Sequence, residues 1–350
     1  MSMTIKVSIR NVYQKLILIT LSSICLLVLF TKFASNGPDW QNYRLDYAAA
    51  LFCGGCKVEG QSILASKVYF MFGTFGFEFA IFLYLISLMV LILKMLAARS
   101  IVGSGWLISF FLYASSVFWL QDLIQFKLSM AFAFLLLSLN ALFLEKNTYW
   151  SLILVGIALL LHSSIIFFVI TYFAFSIIKL YRNNKTFITL IFAAVGIVVV
   201  KNIFIAQEQF FIYIVNAESN RIIDYLYDLT LDNHENRANL LNVHVMYSAL
   251  ISLLYLFVRK NLFANEKNIK DYCDFLIFST FCAILFKGIF LTVPVMAFRV
   301  FELLVAPLFI VQAMIVTWRS RISIYFRVFL FFIFIVLNSY VYIFKNPIFY

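Results

Sequence analysis

Arg299 and Glu302 stand three residues apart, and Lys127, His162 and Lys287 each lie at or near the end of an apolar stretch. Arginine and lysine hold anions, while histidine and carboxylates move protons. Ionisable groups in such places are costly in a membrane and are functional candidates by default. Arg299 and Glu302 share one helical face at that spacing. Asp39, Asp46 and Glu59 add carboxylates in a polar segment near the start of the chain. Plainer explanations stand beside each. Lys127 and Lys287 can snorkel to the interface, and for Lys287 that is the better explanation. Arg299 and Glu302 can neutralise one another. His162 can be a turn residue bonded to backbone, which is the better explanation for it alone. Asp39 follows Pro38 and suits a turn. Glu78 differs, falling a third to half of the way into its stretch, as a buried paired carboxyl or a proton relay would.

Composition dictates the elements that must position these residues. Apolar residues make up 64% of the 350, and charged residues only 12%. A soluble domain carries roughly 25% charged residues. Stretches of about 20 apolar residues, the length that crosses hydrocarbon, fill the chain from end to end. No polar segment is long enough to fold separately. The expected fold class is all-α: a polytopic membrane protein forming a single transmembrane domain over residues 1–350. A membrane β-barrel would show short alternating strands instead. The net charge of +11 fits basic cytoplasmic loops rather than nucleic acid. The first apolar stretch follows Lys6, Arg10 and Lys15 and lacks a small-residue cleavage site, so it reads as a membrane helix and not a cleaved signal. Cys25, Cys273 and Cys282 read as packing residues. Cys53 and Cys56 form one CxxC in a polar loop, too little for zinc. They are free or joined in a local disulfide, the latter if the loop meets an oxidising compartment. No acidic pair suggests a metal site.

Spans are expected near 14–34, 67–93, 101–119, 128–144, 186–206, 243–258, 272–292, 300–317 and 328–344. The stretch 149–180 is long for one crossing and short for two. The basic start places the N-terminus inside. If 149–180 crosses once, the basic segments near 179–185, 259–270 and 319–327 all fall outside; if it forms a hairpin turning near His162-Ser163, all fall inside. The positive-inside rule favours the hairpin, giving eleven crossings with the C-terminus outside. Two outer segments result, 35–66 and 207–242, and residues 208–229 of the second have the spacing of a surface helix. Lys127, His162, Lys287, Arg299, Glu302 and the early carboxylates then share the outer level. A polar site opening outward between helices is expected.

The order of these residues resembles the polysaccharide-polymerase family of the Wzy and EpsG type. Gly37-Pro38-Asp39-Trp40-Gln41-Asn42-Tyr43 is similar to its Gly, Asp and Tyr after the first span. Glu59-Gly60, leading to Phe70 through Phe77 with Gly73 and Gly76, is similar to its acidic approach to the second span. Gln125-Phe126-Lys127-Leu128-Ser129-Met130-Ala131 holds the place of a Gln, Arg and Ala stretch. His162-Ser163-Ser164 resembles its His-Ser motif, and Phe298-Arg299-Val300-Phe301 its late Arg motif. The resemblance runs from about 37 to 305. Lys127 stands where Arg is usual, turning a planar clamp into a point charge. Gly60 stands where Pro is usual.

The resemblance implies polymerisation of undecaprenyl-pyrophosphate-linked oligosaccharide repeat units at the outer face of the bacterial inner membrane. The partners it implies are that lipid-linked glycan, membrane lipid and a candidate chain-length regulator, with no cofactor. Cations must then steady the leaving pyrophosphate: Arg299 first, because its fork matches phosphate oxygens, then Lys127, then Arg221 in the large outer segment. The attacking hydroxyl needs orientation or a base, with His162 first and Glu59 second. Asp39 would hold a sugar hydroxyl or anchor its loop. Trp40, Tyr43 and Trp119 can stack on sugars or anchor at the interface. The alternatives are a ligase moving finished glycan to a lipid acceptor, a polysaccharide transporter or flippase, and an outer-face acyltransferase. Transporters bind near the midplane, where only Glu78 is expected.

Overall fold

The computed structural model describes residues 38–56, 63–118, 125–180, 243–262, 266–290, 294–317 and 323–344. Every regular element among them is helical, as lipid demands of a backbone that must satisfy its own polar groups. In chain order the helices are α1 Pro38–Phe52, α2 Ile63–Thr74, α3 Phe79–Val102, α4 Trp106–Ala114, α5 Phe126–Phe143 and α6 Thr148–Leu161. There follow α7 Ile166–Leu180, α8 Val243–Leu262, α9 Lys267–Ile289, α10 Pro294–Val305, α11 Leu308–Thr317 and α12 Ile324–Ser339.

Five helical runs among the described residues are long and apolar enough to cross a membrane: Phe79–Ala114, Phe126–Phe143, Lys267–Ile289, Met296–Thr317 and Ile324–Tyr342. Shorter apolar helices cover Thr148–Leu161, Ser163–Ile178 and Val243–Arg259. Leu45, Leu85, Leu152, Phe173, Phe257 and Phe332 are exposed, presenting the greasy outer surface that lipid requires. The protein is an all-α polytopic membrane protein. The spans expected at 14–34 and 186–206, and the surface helix expected within 208–229, lie outside the described residues.

Two boundaries differ from expectation. The span at 67–93 is not one helix: α2 stops at Thr74 and α3 starts at Phe79. Gly76 turns the chain between them at φ 77°, where other side chains are strained. Glu78 is the exposed N-cap of α3, so it is neither a buried paired carboxyl nor a relay within a span. The helix then runs past the expected end at 93 to Val102, where Gly103 turns it at φ 63°. The long stretch 149–180 does break where its turn was expected. α6 ends at Leu161, His162 is extended, and one tight turn at Ser163–Ile165 leads into α7.

The chain divides into two compact units, Met1–Ile165 with Gln312–Tyr350, and Ile166–Val311. In the first, helices are tied by short polar contacts, as is usual where lipid supplies no hydrophobic drive. The Asn140 amide of α5 donates to the Ala97 carbonyl of α3 at 3.0 Å. Ser138 Oγ donates to the Ser151 carbonyl at 2.9 Å, joining α5 to α6. Asn338 of α12 donates to the Leu112 carbonyl at 3.3 Å and exchanges amide contacts with Gln312. In the second unit aromatic edges dominate. Phe167 meets Phe286 at 5.2 Å and Phe175 meets Phe275 at 5.5 Å, both edge to face. Ser279 Oγ ties α9 to the Leu304 carbonyl of α10 at 2.9 Å. Arg259 pairs with Asp274, which also accepts from Tyr255 at 2.9 Å. Cys273 is buried and Cys282 half-buried, both free thiols.

Candidate functional site

In the first unit the chemistry gathers around α1. Its sequence starts at Pro38, whose fixed φ suits a first helical position. Asp39 lies in that first turn. Two turns on, Asp46 Oδ2 meets Lys127 Nζ at 3.2 Å, with about a sixth to a fifth of each side chain exposed. The Lys127 ammonium also lies 5.0 Å above the Tyr43 ring, and Tyr43 packs edge-on against Phe126. Lys127 is therefore a compensated charge, tied down by Asp46 rather than snorkelling to the interface. The next residue after Asp46, Tyr47, is buried against Tyr69, Phe79 and Phe82. Its hydroxyl donates to the Phe77 carbonyl at 2.7 Å, satisfying a backbone acceptor at the break between α2 and α3. Burial raises the Tyr47 phenol above its ordinary pKa, so it stays protonated and keeps donating. The end of α1 is closed by a Cys53–Cys56 disulfide, Cα atoms 5.5 Å apart. Of the two states left open by sequence, the oxidised one is present.

His162 caps α6 and is half-buried. Its Nδ1 accepts from the Ser164 amide at 3.3 Å, as the turn-residue explanation expects. In a neutral ring that leaves the proton on Nε2. Glu59 and Arg221 lie outside the described residues.

The second unit holds a different arrangement. α10 is enclosed, with Ala297, Val300, Phe301, Leu303 and Leu304 all 0% exposed. Arg299 is the exception: it is exposed and makes no hydrogen bond or ion pair with the described residues. Glu302 is buried instead, so the expected mutual neutralisation of Arg299 and Glu302 is not found. Lys287, in the last turn of α9, is 0% exposed, which overturns the expectation that it snorkels. Its Nζ lies 4.9 Å from the Phe298 ring and 4.9 Å from the Phe301 ring, and has no hydrogen-bond partner among the described residues. Glu302 supplies the opposite charge acting on it. His244, in the first turn of α8, is buried edge-on against Phe301 at 4.9 Å and feels the Lys287 charge. Phe298 and Phe301 of α10 thus bring together His244 from the start of α8 and Lys287 from the end of α9, with Glu302 of the last turn of α10 acting on Lys287 and Arg299 next to Phe298 in the chain.

Two residues escaped the sequence. His244 opens an expected span as Lys127 does, and the same rule would have found it. Lys94 lies at the expected end of a span, yet it is 0% exposed inside α3. Its Nζ donates at 2.6 Å to Tyr113 Oη and at 2.6 Å to Ser129 Oγ.

Helices with lipid-facing exteriors and ionisable groups held inside define a polytopic membrane protein with built polar sites. The chain belongs to the EpsG family, whose sequence model matches residues 16–349. No curated protein and no solved structure matches it.

Proposed function

We propose that this protein is a membrane glycosyltransferase that polymerises undecaprenyl-pyrophosphate-linked repeat units into surface polysaccharide at the periplasmic face. Membership of the EpsG family supports a polysaccharide repeat-unit polymerase. The observation that carries the chemistry is Arg299, an exposed guanidinium with no hydrogen bond or ion pair among the described residues, on a helix most of whose neighbouring side chains are buried. The terminal hydroxyl of one lipid-linked unit attacks the anomeric carbon of the growing glycan. The new C–O bond forms as the bond to pyrophosphate breaks, and the leaving oxygens take the electron pair. Arg299 meets that charge with a two-pronged contact. Lys127 contributes only as far as Asp46 releases it, and Arg221 is a third cation. The hydroxyl proton goes to a base, with His162 or Glu59 in that role. For His162 this requires Nδ1 to let go of the Ser164 amide, or Nε2–H to orient the hydroxyl while Glu59 takes the proton. Asp39 holds a sugar hydroxyl or the start of α1. One transmembrane domain over residues 1–350 carries the whole reaction, with a chain-length regulator as a candidate partner.

A strain lacking the gene tests this. Surface glycan collapsing from a ladder to one repeat unit supports the polymerase. Loss of all units points to an earlier or exporting step, as for a flippase. Accumulation of finished polymer on its lipid carrier points to a ligase.

A further inference from the structure

We propose that Lys287 is a second diphosphate-binding cation, held in reserve behind Phe298 and recruited beside Arg299 when the lipid-linked donor seats. The proposal rests on the polymerase reading for the identity of the anion. It stands on four observations within the second unit. Lys287 is fully buried and its three N–H donors find no acceptor. A buried cation left in that state is costly, and in native proteins such a group calls for an explanation beyond packing. Its surroundings are arranged for a cation all the same: two aromatic faces at 4.9 Å and the charge of Glu302. Phe301 is sealed at 0% exposure, whereas Phe298 is half-buried, so Phe298 is the thinner side of the enclosure. Arg299 follows Phe298 directly on α10 and is the exposed cation of this end.

A lysine kept only for packing is satisfied by hydroxyls, as Lys94 is. Lys287 has donors in place and no acceptor, which is the complement of an incoming phosphate oxygen. Glu302 holds the charge in the absence of ligand and competes with the anion for it. His244 stands on the far element of the same cluster and feels the same charge.

The opposing roles of Lys287 and Glu302 give opposite signs to test. The full chain, purified in detergent, is titrated with inorganic pyrophosphate and followed by thermal unfolding, for wild type, K287M, E302Q, these two combined, and R299A. Made together with E302Q, so that no buried carboxylate loses its counter-charge, K287M is expected to unfold at the wild-type temperature or above. For K287M alone the half-maximal pyrophosphate concentration rises roughly thirtyfold or more, the usual cost of losing one partner of a buried charge contact. E302Q shifts the same concentration downward. In cells, K287M shortens the glycan ladder. A wild-type response retained by K287M overturns the proposal, and so does a large fall in the ligand-free melting temperature of K287M combined with E302Q, which would make Lys287 structural. A wild-type chain indifferent to pyrophosphate overturns it too, and leaves the polymerase standing provided the ladder still depends on Arg299. If R299A and the gene deletion both leave the ladder intact while K287M still weakens pyrophosphate binding, the anion site stands and the polymerase falls.

Discussion

Lys94 and Lys287 are both fully enclosed, one in each unit, and they are treated in opposite ways. Lys94 donates to Tyr113 and Ser129 and lies 5.1 Å and 5.4 Å from the Tyr113 and Phe132 rings. It joins α3, α4 and α5 through contacts that water or ligand cannot improve. Lys287 has the aromatic wall without the acceptors. Burial alone therefore does not distinguish a structural cation from a functional one. On the proposal made for Lys287, the count of satisfied donors does. The same test separates Lys127, compensated by Asp46, from Arg299, which has no such partner.

The sharpest way to break the comparison is Arg299→Ala. Removing one preorganised donor to a developing oxyanion lowers rate by roughly a hundredfold to a thousandfold, so polymer disappears and single repeat units remain on the carrier. Unchanged glycan length from a stably inserted variant would remove Arg299 from its role. Next comes Lys94→Met, which strands the acceptors of Tyr113 and Ser129 and lowers stability by about 1–3 kcal/mol. Lys287→Met made together with Glu302→Gln leaves the melting temperature level or higher; equal losses in both tests would erase the distinction. Smaller still, His162→Ala lowers polymerisation by roughly tenfold to a hundredfold, within the range of acid–base assistance. Lys127→Arg, which keeps both charge and Asp46, changes it less; equal losses would strip His162 of special standing. The smallest effect is Asp46→Asn. A partly exposed ion pair of this kind contributes about 0–1 kcal/mol, so thermal unfolding shifts little, and a collapse of α1 would show that the pair anchors the helix.

Much of this was readable in the chain because hydropathy and turn chemistry are local. The helix expected at 128–144 is found at Phe126–Phe143, and the break in 149–180 falls at His162. The break at Gly76, by contrast, divides what hydropathy alone presents as one span at 67–93. Lys94 was hidden because a lysine looks like the end of a span, while the groups that admit it to the interior are 19 and 35 residues away. Lys287 was misplaced for a related reason. Its enclosure comes from Phe298 and Phe301 on the following helix, which the pattern of α9 cannot reveal. Pairing was equally invisible: Asp46 and Lys127 are 81 residues apart, and only folding shows that one spends its charge on the other.

The Cys53–Cys56 bond also orders events during biogenesis. Cytosolic thiols are kept reduced, so the ring closes only after that segment has met an oxidant. The end of α1 is therefore finished by chemistry rather than by packing, once an oxidant reaches it. Chain made in a cell-free mixture containing dithiothreitol will carry two open thiols there, and a reconstitution that aims at the closed ring needs an oxidation step before assay.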